Sequence, residues 1–118
     1  MLEGKRVLIV EDEGLVAMTA EMAVEDEGAV VVGPATTLEQ GLALARAGGI
    51  DAAVLDVNLR GEKSYPIADV LVERGVPFVF ATGYDGSGWN GQAPELAKPY
   101  NEAALAAALR ELLDDTSA

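Results

Sequence analysis

The chain has 118 residues, half of them hydrophobic, and sets 20 Asp and Glu against 8 Lys and Arg for a formal charge of −12. That length suits one domain with a real core, residues 1–118. The acidity argues against binding nucleic acid or anionic membranes and favours cations or a basic partner face. Cysteine and histidine are absent. Their absence excludes a disulfide scaffold, thiolate chemistry, His-based general-base catalysis, most zinc sites and a phosphohistidine on this chain. The apolar run Val7–Val10 is too short for a signal peptide or a membrane span, so a cytoplasmic protein is expected.

In chain order, Lys5–Val10 reads as a buried strand that runs straight into Glu11, Asp12 and Glu13. Leu15 to Glu27 has apolar residues at Leu15, Met18, Met22 and Ala23, close to helical spacing, and Gly28 stops it. Ala29–Val32 is a β-branched run and predicts a strand. A second helix opens at Thr37 as N-cap and ends near Ala47, before Gly48-Gly49. Asp51–Leu55 predicts the third strand, and Tyr65 to Arg74 a helix with Pro66 in its first turn and Gly75 as its stop. Val76–Ala81 and Pro94–Lys98 predict two more strands. Between them, Gly83 to Gln92 holds four glycines, each of which costs a helix ~1 kcal/mol relative to Ala, so no helix is predicted there. Glu102–Leu113 is a final helix with an apolar face at Leu105, Ala108, Leu109 and Leu112. The tail Asp114–Ala118 is expected to fray.

Alternating strands and helices, with continuous rather than alternating apolar strands, predict a parallel sheet covered by helices on both faces. In such α/β folds ligands bind at the carboxyl ends of the strands. Those ends carry Glu11-Asp12-Glu13, then Asp56 with Val57 and Asn58, then Thr82-Gly83, then Lys98-Pro99. Clustered carboxylates repel one another unless a cation intervenes, and a hard divalent ion such as Mg²⁺ suits oxygen ligands. Lys98 adds a compact positive charge, Thr82 a hydroxyl, and Gly83 an approachable N–H. Together these groups are an apparatus for holding a phosphoryl group on a carboxylate.

The ordered set Glu11-Asp12, Asp56, Thr82-Gly83 and Lys98-Pro99 resembles the receiver domain of two-component response regulators, over nearly the whole chain. More narrowly, "VPFVFATGYDG" (Val76–Gly86) and "LDVNLRGEKSYPIADVL" (Leu55–Leu71) resemble the FATGUY receivers. Those are often stand-alone and are associated with alphaproteobacterial histidine kinases of the HWE and HisKA2 types. The resemblance implies a doubly wound five-stranded sheet in the order 2-1-3-4-5, with the fourth helix short or absent. It implies that Asp56 is the phosphoacceptor, and that Glu11, Asp12, Asp56 and the Asn58 carbonyl hold Mg²⁺. Thr82 and Lys98 would bind phosphoryl oxygens, and the Lys98-Pro99 bond would be cis. The donor would be a histidine kinase, a phosphotransfer protein or a small phosphodonor, and the output a protein contact. The module would be no enzyme beyond catalysing its own phosphorylation and dephosphorylation. A phosphate sink for a kinase and a non-phosphorylated binding module are the alternative roles.

Two departures from the receiver pattern bear on switching. Receivers carry an aromatic residue three positions before the Lys, where this chain has Glu95, and the interval from Thr82 to Lys98 is only sixteen residues. Residues 85–92 are therefore expected to form at most one helical turn and to be mobile before phosphorylation. The switch would then run through Thr82 and Gly83, with Tyr84 or Trp89 repacking. Taken alone, Trp89 reads as a partial core anchor, Glu13 as a first-turn helix acid, and Arg60, Glu62 and Lys63 as loop surface.

Overall fold

The computed structural model describes residues 2–83 and 86–117, the last four as backbone only. Strands β1 (Arg6–Val10), β2 (Val30–Ala35) and β3 (Ala52–Asp56) are followed by a two-residue pair, β4 (Asn58–Leu59) and β5 (Glu62–Lys63), then β6 (Phe78–Thr82) and β7 (Glu95–Ala97). The five longer strands form one parallel sheet in the order β2-β1-β3-β6-β7. With the small hairpin set aside this is the expected order 2-1-3-4-5. The helices are α1 (Gly14–Asp26), α2 (Leu38–Ala47), α3 (Tyr65–Glu73) and α4 (Glu102–Ser117). Among the described residues no helix lies between β6 and β7, and none is long and apolar enough to cross a membrane.

The central strands are apolar throughout because both of their faces are covered. Leu8, Val10, Ala53, Leu55, Phe78 and Phe80 point to the layer of α2 and α3. Their chain neighbours Val7, Ile9, Ala52, Val54 and Val79 point to the layer of α1 and α4. The α2/α3 layer holds Tyr65, Phe78, Phe80 and Trp89; the buried residues of the α1/α4 layer are aliphatic, with Ala20, Ala23, Leu105 and Leu109 at its centre and Tyr100 packed against them. Helix α2 starts as its sequence dictates. The Thr37 side chain accepts the Gln40 N–H, and the Gln40 side chain in turn accepts from the Thr36 N–H.

Four features differ from the sequence reading. The apolar set on α1 faces outward: Leu15, Met18 and Met22 are 82%, 55% and 47% exposed, while Ala17, Ala20, Ala23 and Val24 are buried. The two stripes lie two residues apart, about 200° around the helix, so both have helical spacing. The small residues face inward against the sheet and α4. Strand β2 runs on to Ala35 through a cis Gly33-Pro34 bond, where its register with β1 shifts between Leu8 and Val10. Arg60, Glu62 and Lys63, read as loop surface, belong to the β4–β5 hairpin. Helix α4 spans to Ser117, four residues past the Leu113 at which the sequence reading ends it, since no Gly or Pro interrupts it.

Candidate functional site

Every strand that carries a candidate residue ends at the same rim of the sheet. After β1 the backbone N–H of Glu11 donates to the Ala35 carbonyl at 2.9 Å, which turns the Glu11 side chain inward, where it is 2% exposed. Asp12 is half-buried, and Glu13 is the N-cap residue of α1. Asp56 closes β3, 6% exposed, in register with Ala81 of β6. Thr82 is buried at the end of β6, and the exposed Gly83 follows it. Lys98 follows β7, its N–H donating to the Thr82 carbonyl at 2.7 Å, and the Lys98-Pro99 bond is cis.

Lys98 gathers the acids. Its Nζ lies 3.2 Å from Glu11 Oε1, 3.1 Å from Glu13 Oε1 and 3.4 Å from Asp56 Oδ2. Carboxylate oxygens of Glu11, Asp12, Glu13 and Asp56 all lie within 4.8 Å of one another. Four carboxylates therefore face one ammonium group. Burial foremost, and then the hydrogen bond and repulsion shared with Asp56, push Glu11 up to about 7. Burial likewise raises Asp56, outweighing the lowering effects of its hydrogen bond with Glu11 and its attraction to Lys98. Burial opposes the charge on Lys98, but the carboxylates of Asp56 and Glu11 prevail and its pKa rises. The protons that a bare cluster retains are what a divalent cation would displace. The donors are all hard oxygens, with neither His nor Cys in the chain, so the residues fit Mg²⁺ rather than a soft metal.

The β4–β5 hairpin closes one side of the site. The Asn58 N–H donates to Asp56 Oδ1 at 3.3 Å, and the Arg60 N–H to Asp12 Oδ2 at 3.1 Å. Asp12, Asp56, Asn58, Arg60, Lys63, Gly83 and Lys98 line one open pocket of about 610 Å³. Of the sequence-derived set, Glu11, Asp12 and Asp56 are thus drawn together and Lys98 is paired with Glu11 and Asp56. Asn58 and Gly83 share the pocket, and Thr82 stands beside it on β6. Tyr84 lies outside the described residues, as does Asp85.

Three participants were not read from the sequence. Glu13 does not point along α1 but reaches Lys98; its N-cap place just before Gly14 was the available signal. The Arg60 backbone, on the supposed loop surface, holds Asp12. Tyr100, two residues past Lys98, has its hydroxyl buried with no hydrogen-bond partner among the described residues. Burial first, and then the charge on Glu11, push its pKa up to about 12.

Between β6 and β7, residues 86–94 have no helix or strand and are fixed by their tryptophan. Trp89 packs edge-on against Phe78 and Phe80, with ring centroids 5.5 and 5.7 Å away, and its Nε1–H donates to Asp69 at 3.2 Å. The Tyr65 hydroxyl donates to the Ser87 carbonyl, and the Ser87 N–H donates to the Glu95 carboxylate at 3.3 Å. Trp89 is the core anchor expected of it, and Glu95, at the position where receivers carry an aromatic, tethers the loop by a hydrogen bond.

This sheet order, with acids after the first strand, a buried Asp after the third and a Lys after the last, is the CheY-like receiver fold. The chain belongs to the response-regulator receiver domains. No protein-family model matches it. Among solved structures it is similar to SdrG from Sphingomonas melonis Fr1, at 46% identity over 93% of this chain and 97% of that one, with a TM-score of 0.81. A BeF3-activated conformation of SdrG matches at 44% identity over 96% and 99% of the two chains, with a TM-score of 0.76. The response regulator PhyR from Brucella abortus is 28% identical, with a TM-score of 0.85 over 97% of this chain and 49% of that one. The phyllosphere-induced regulator PhyR of Methylorubrum extorquens is 32% identical over 114 residues, covering 91% of this chain. The chain spans 43% of the length of that curated relative.

Proposed function

We propose that this domain accepts a phosphoryl group on Asp56 from a histidine kinase or histidine phosphotransfer protein and signals by protein contact. The observation that carries the reading is Lys98 Nζ, 3.4 Å from Asp56 Oδ2 and held there by Glu11 and Glu13. An Asp56 oxygen attacks phosphorus, the donor's bond to phosphorus breaks, and the leaving group departs with the electron pair. Lys98 then exchanges a carboxylate partner for a phosphoryl oxygen, and the Thr82 hydroxyl and Gly83 N–H take the others. Glu11, Asp12, Asp56 and the Asn58 carbonyl would hold Mg²⁺, which when bound offsets the negative charge shared by the attacking carboxylate and the incoming phosphate. Asn58 keeps Asp56 oriented through its N–H. The domain acts on no external substrate; it catalyses its own phosphorylation and dephosphorylation.

The BeF3-activated form of SdrG supports this reading, because beryllium trifluoride imitates a phosphoryl group. The narrower assignment, to FATGUY receivers serving HWE or HisKA2 kinases, rests on the likeness of the stretches Val76–Gly86 and Leu55–Leu71. The exposed stripe Leu15, Met18 and Met22 begins two residues after Glu13 and suits a helical partner that brings the donor to the site.

Intact-mass spectrometry tests the reading. With Mg²⁺ and acetyl phosphate the protein gains one phosphoryl group, EDTA prevents the gain, and Asp56→Asn abolishes it. Labelling of Asp56→Asn equal to the parent would overturn the assignment.

A further inference from the structure

The cations at the pocket are unequally engaged. Lys98 is occupied by three carboxylates. Arg60 and Lys63 line the same pocket, are exposed, and make no side-chain hydrogen bond or ion pair among the described residues. In a chain with 20 acids, two unpaired cations beside four clustered carboxylates call for a reason.

Their carrier is the β4–β5 hairpin. Asn58 pairs with Lys63 and Leu59 with Glu62, so Arg60-Gly61 is the two-residue turn. The turn has φ of 52° at Arg60 and 91° at Gly61. Two successive positive φ values are those of a type I′ turn, for which Asn-Gly is strongly preferred. Arg60 is the only residue other than glycine with positive φ among the described residues. A long side chain there is conformationally disfavoured, and Asn would relieve much of that cost. Other contacts hold the turn in place: Leu59 is 1% exposed, the Arg60 N–H is on Asp12, and the Ser64 N–H donates to the Val57 carbonyl at 2.8 Å. Backbone stability does not account for arginine at this position.

We propose that Arg60 and Lys63 receive the phosphoryl donor, holding its phosphate oxygens at the pocket mouth in line with Asp56. The inference rests on the phosphoacceptor reading above. Four carboxylates repel an incoming dianion, and Lys98 is already committed to them. Two cations at the mouth offset that repulsion and raise the local donor concentration. The planar fork of Arg60 fits two phosphate oxygens at once, and Lys63 supplies a point charge. With acetyl phosphate, the bond from Asp56 oxygen to phosphorus forms as the phosphorus–oxygen bond to acetate breaks, and acetate leaves with the electron pair.

The test is the rate of acetyl phosphate labelling at saturating Mg²⁺, followed by intact mass across ionic strength. Arg60→Asn keeps the left-handed turn and removes the charge; Arg60→Gly is the second variant should the first fold poorly. Each, and Lys63→Gln, is expected to raise KM for acetyl phosphate about fivefold at low salt with little change in the maximal rate. The difference should vanish near 1 M salt, where the screening length is ~3 Å. Arg60→Lys should recover most of the loss. Arg46→Gln, an equal change of net charge on an exposed face of α2, should leave the rate unchanged. Arg60→Asn should also unfold at no lower temperature than the parent, so that stability and rate part company. Equal KM values and equal salt dependence in parent, Arg60→Asn and Lys63→Gln would overturn the inference while leaving the phosphoacceptor reading intact. Failure of the parent to be labelled at Asp56 would instead overturn that reading.

Discussion

Two connections leave the carboxyl ends of neighbouring strands and are built on opposite principles. After β3 the chain turns back on itself as a hairpin held by charge: Asn58 and Arg60 donate their N–H groups to Asp56 and Asp12. Beyond β6, residues 86–94 have no regular structure and are held by a ring: Trp89 is inserted against Phe78 and Phe80. The first connection reports the state of the acid cluster directly. The second lines the same pocket at Gly83 and Gly86, while its anchor Trp89 packs on Phe78 and Phe80 away from the acids. A segment without regular structure can thus be positioned as firmly as a hairpin, provided one large side chain is buried and its polar atom satisfied.

The largest expected effect separates these anchors. Leu59→Ala removes a side chain that is 1% exposed and should cost about 3 kcal/mol in urea unfolding. Trp89→Ala, whose ring is half-buried, should cost about 2 kcal/mol. If Leu59→Ala leaves the affinity for Mg²⁺ unchanged, the hairpin does not support the acid cluster. If Trp89→Ala lowers that affinity as much as Leu59→Ala, the proposed independence of the two connections is lost.

The second effect is a pH dependence of the acid cluster against which the charged connection is held. Glu11 has a folded value of about 7 against an ordinary 4.5. The folded state therefore binds the proton more tightly than the unfolded chain between those values. Stability of the metal-free protein should fall as pH rises from about 4.5 to about 7, by on the order of 2 kcal/mol once solvent screening is allowed for. Saturating Mg²⁺ should flatten the fall, because it favours the ionised cluster. Urea unfolding at pH 5, 6, 7 and 8 measures it; stability rising over this interval without metal would contradict the proton held on Glu11.

The smallest effect concerns the tryptophan's polar atom. Trp89→Phe keeps a ring and loses the Nε1–H bond to Asp69, at about 1 kcal/mol. In a double-mutant cycle with Asp69→Ala, which removes the acceptor, the two costs should not add. Amide exchange sharpens the picture: the Ser87 and Trp89 N–H groups, donated to Glu95 and to Ser87 Oγ, should exchange more slowly than those of Asn90 to Gln92. Uniformly fast exchange over 86–92 would favour the mobile loop expected before phosphorylation over an anchored one.

Much of this was legible in the order of residues. Strands that are apolar from end to end must be buried on both faces, and a polar residue directly after such a strand must emerge at the rim. That argument alone brought Glu11, Asp12, Asp56, Thr82 and Lys98 to one place. The four glycines between Thr82 and Lys98 likewise ruled out a helix whatever surrounded them, because their cost is local. Other features required distances that no local rule supplies. Helix α1 carries two apolar stripes of equal spacing, and hydrophobicity alone favours the larger. Only the closeness of the sheet and of α4 placed Ala17, Ala20, Ala23 and Val24 inside and left Leu15, Met18 and Met22 outside. Glu13 found Lys98, 85 residues away, and Arg60 took a left-handed turn where Leu59 beside it is buried and Asp12 holds its own N–H. Local sequence set which residues could meet water, a metal or a turn; packing decided which of them met one another, because side-chain contact depends on how closely elements approach and not on their spacing along the chain.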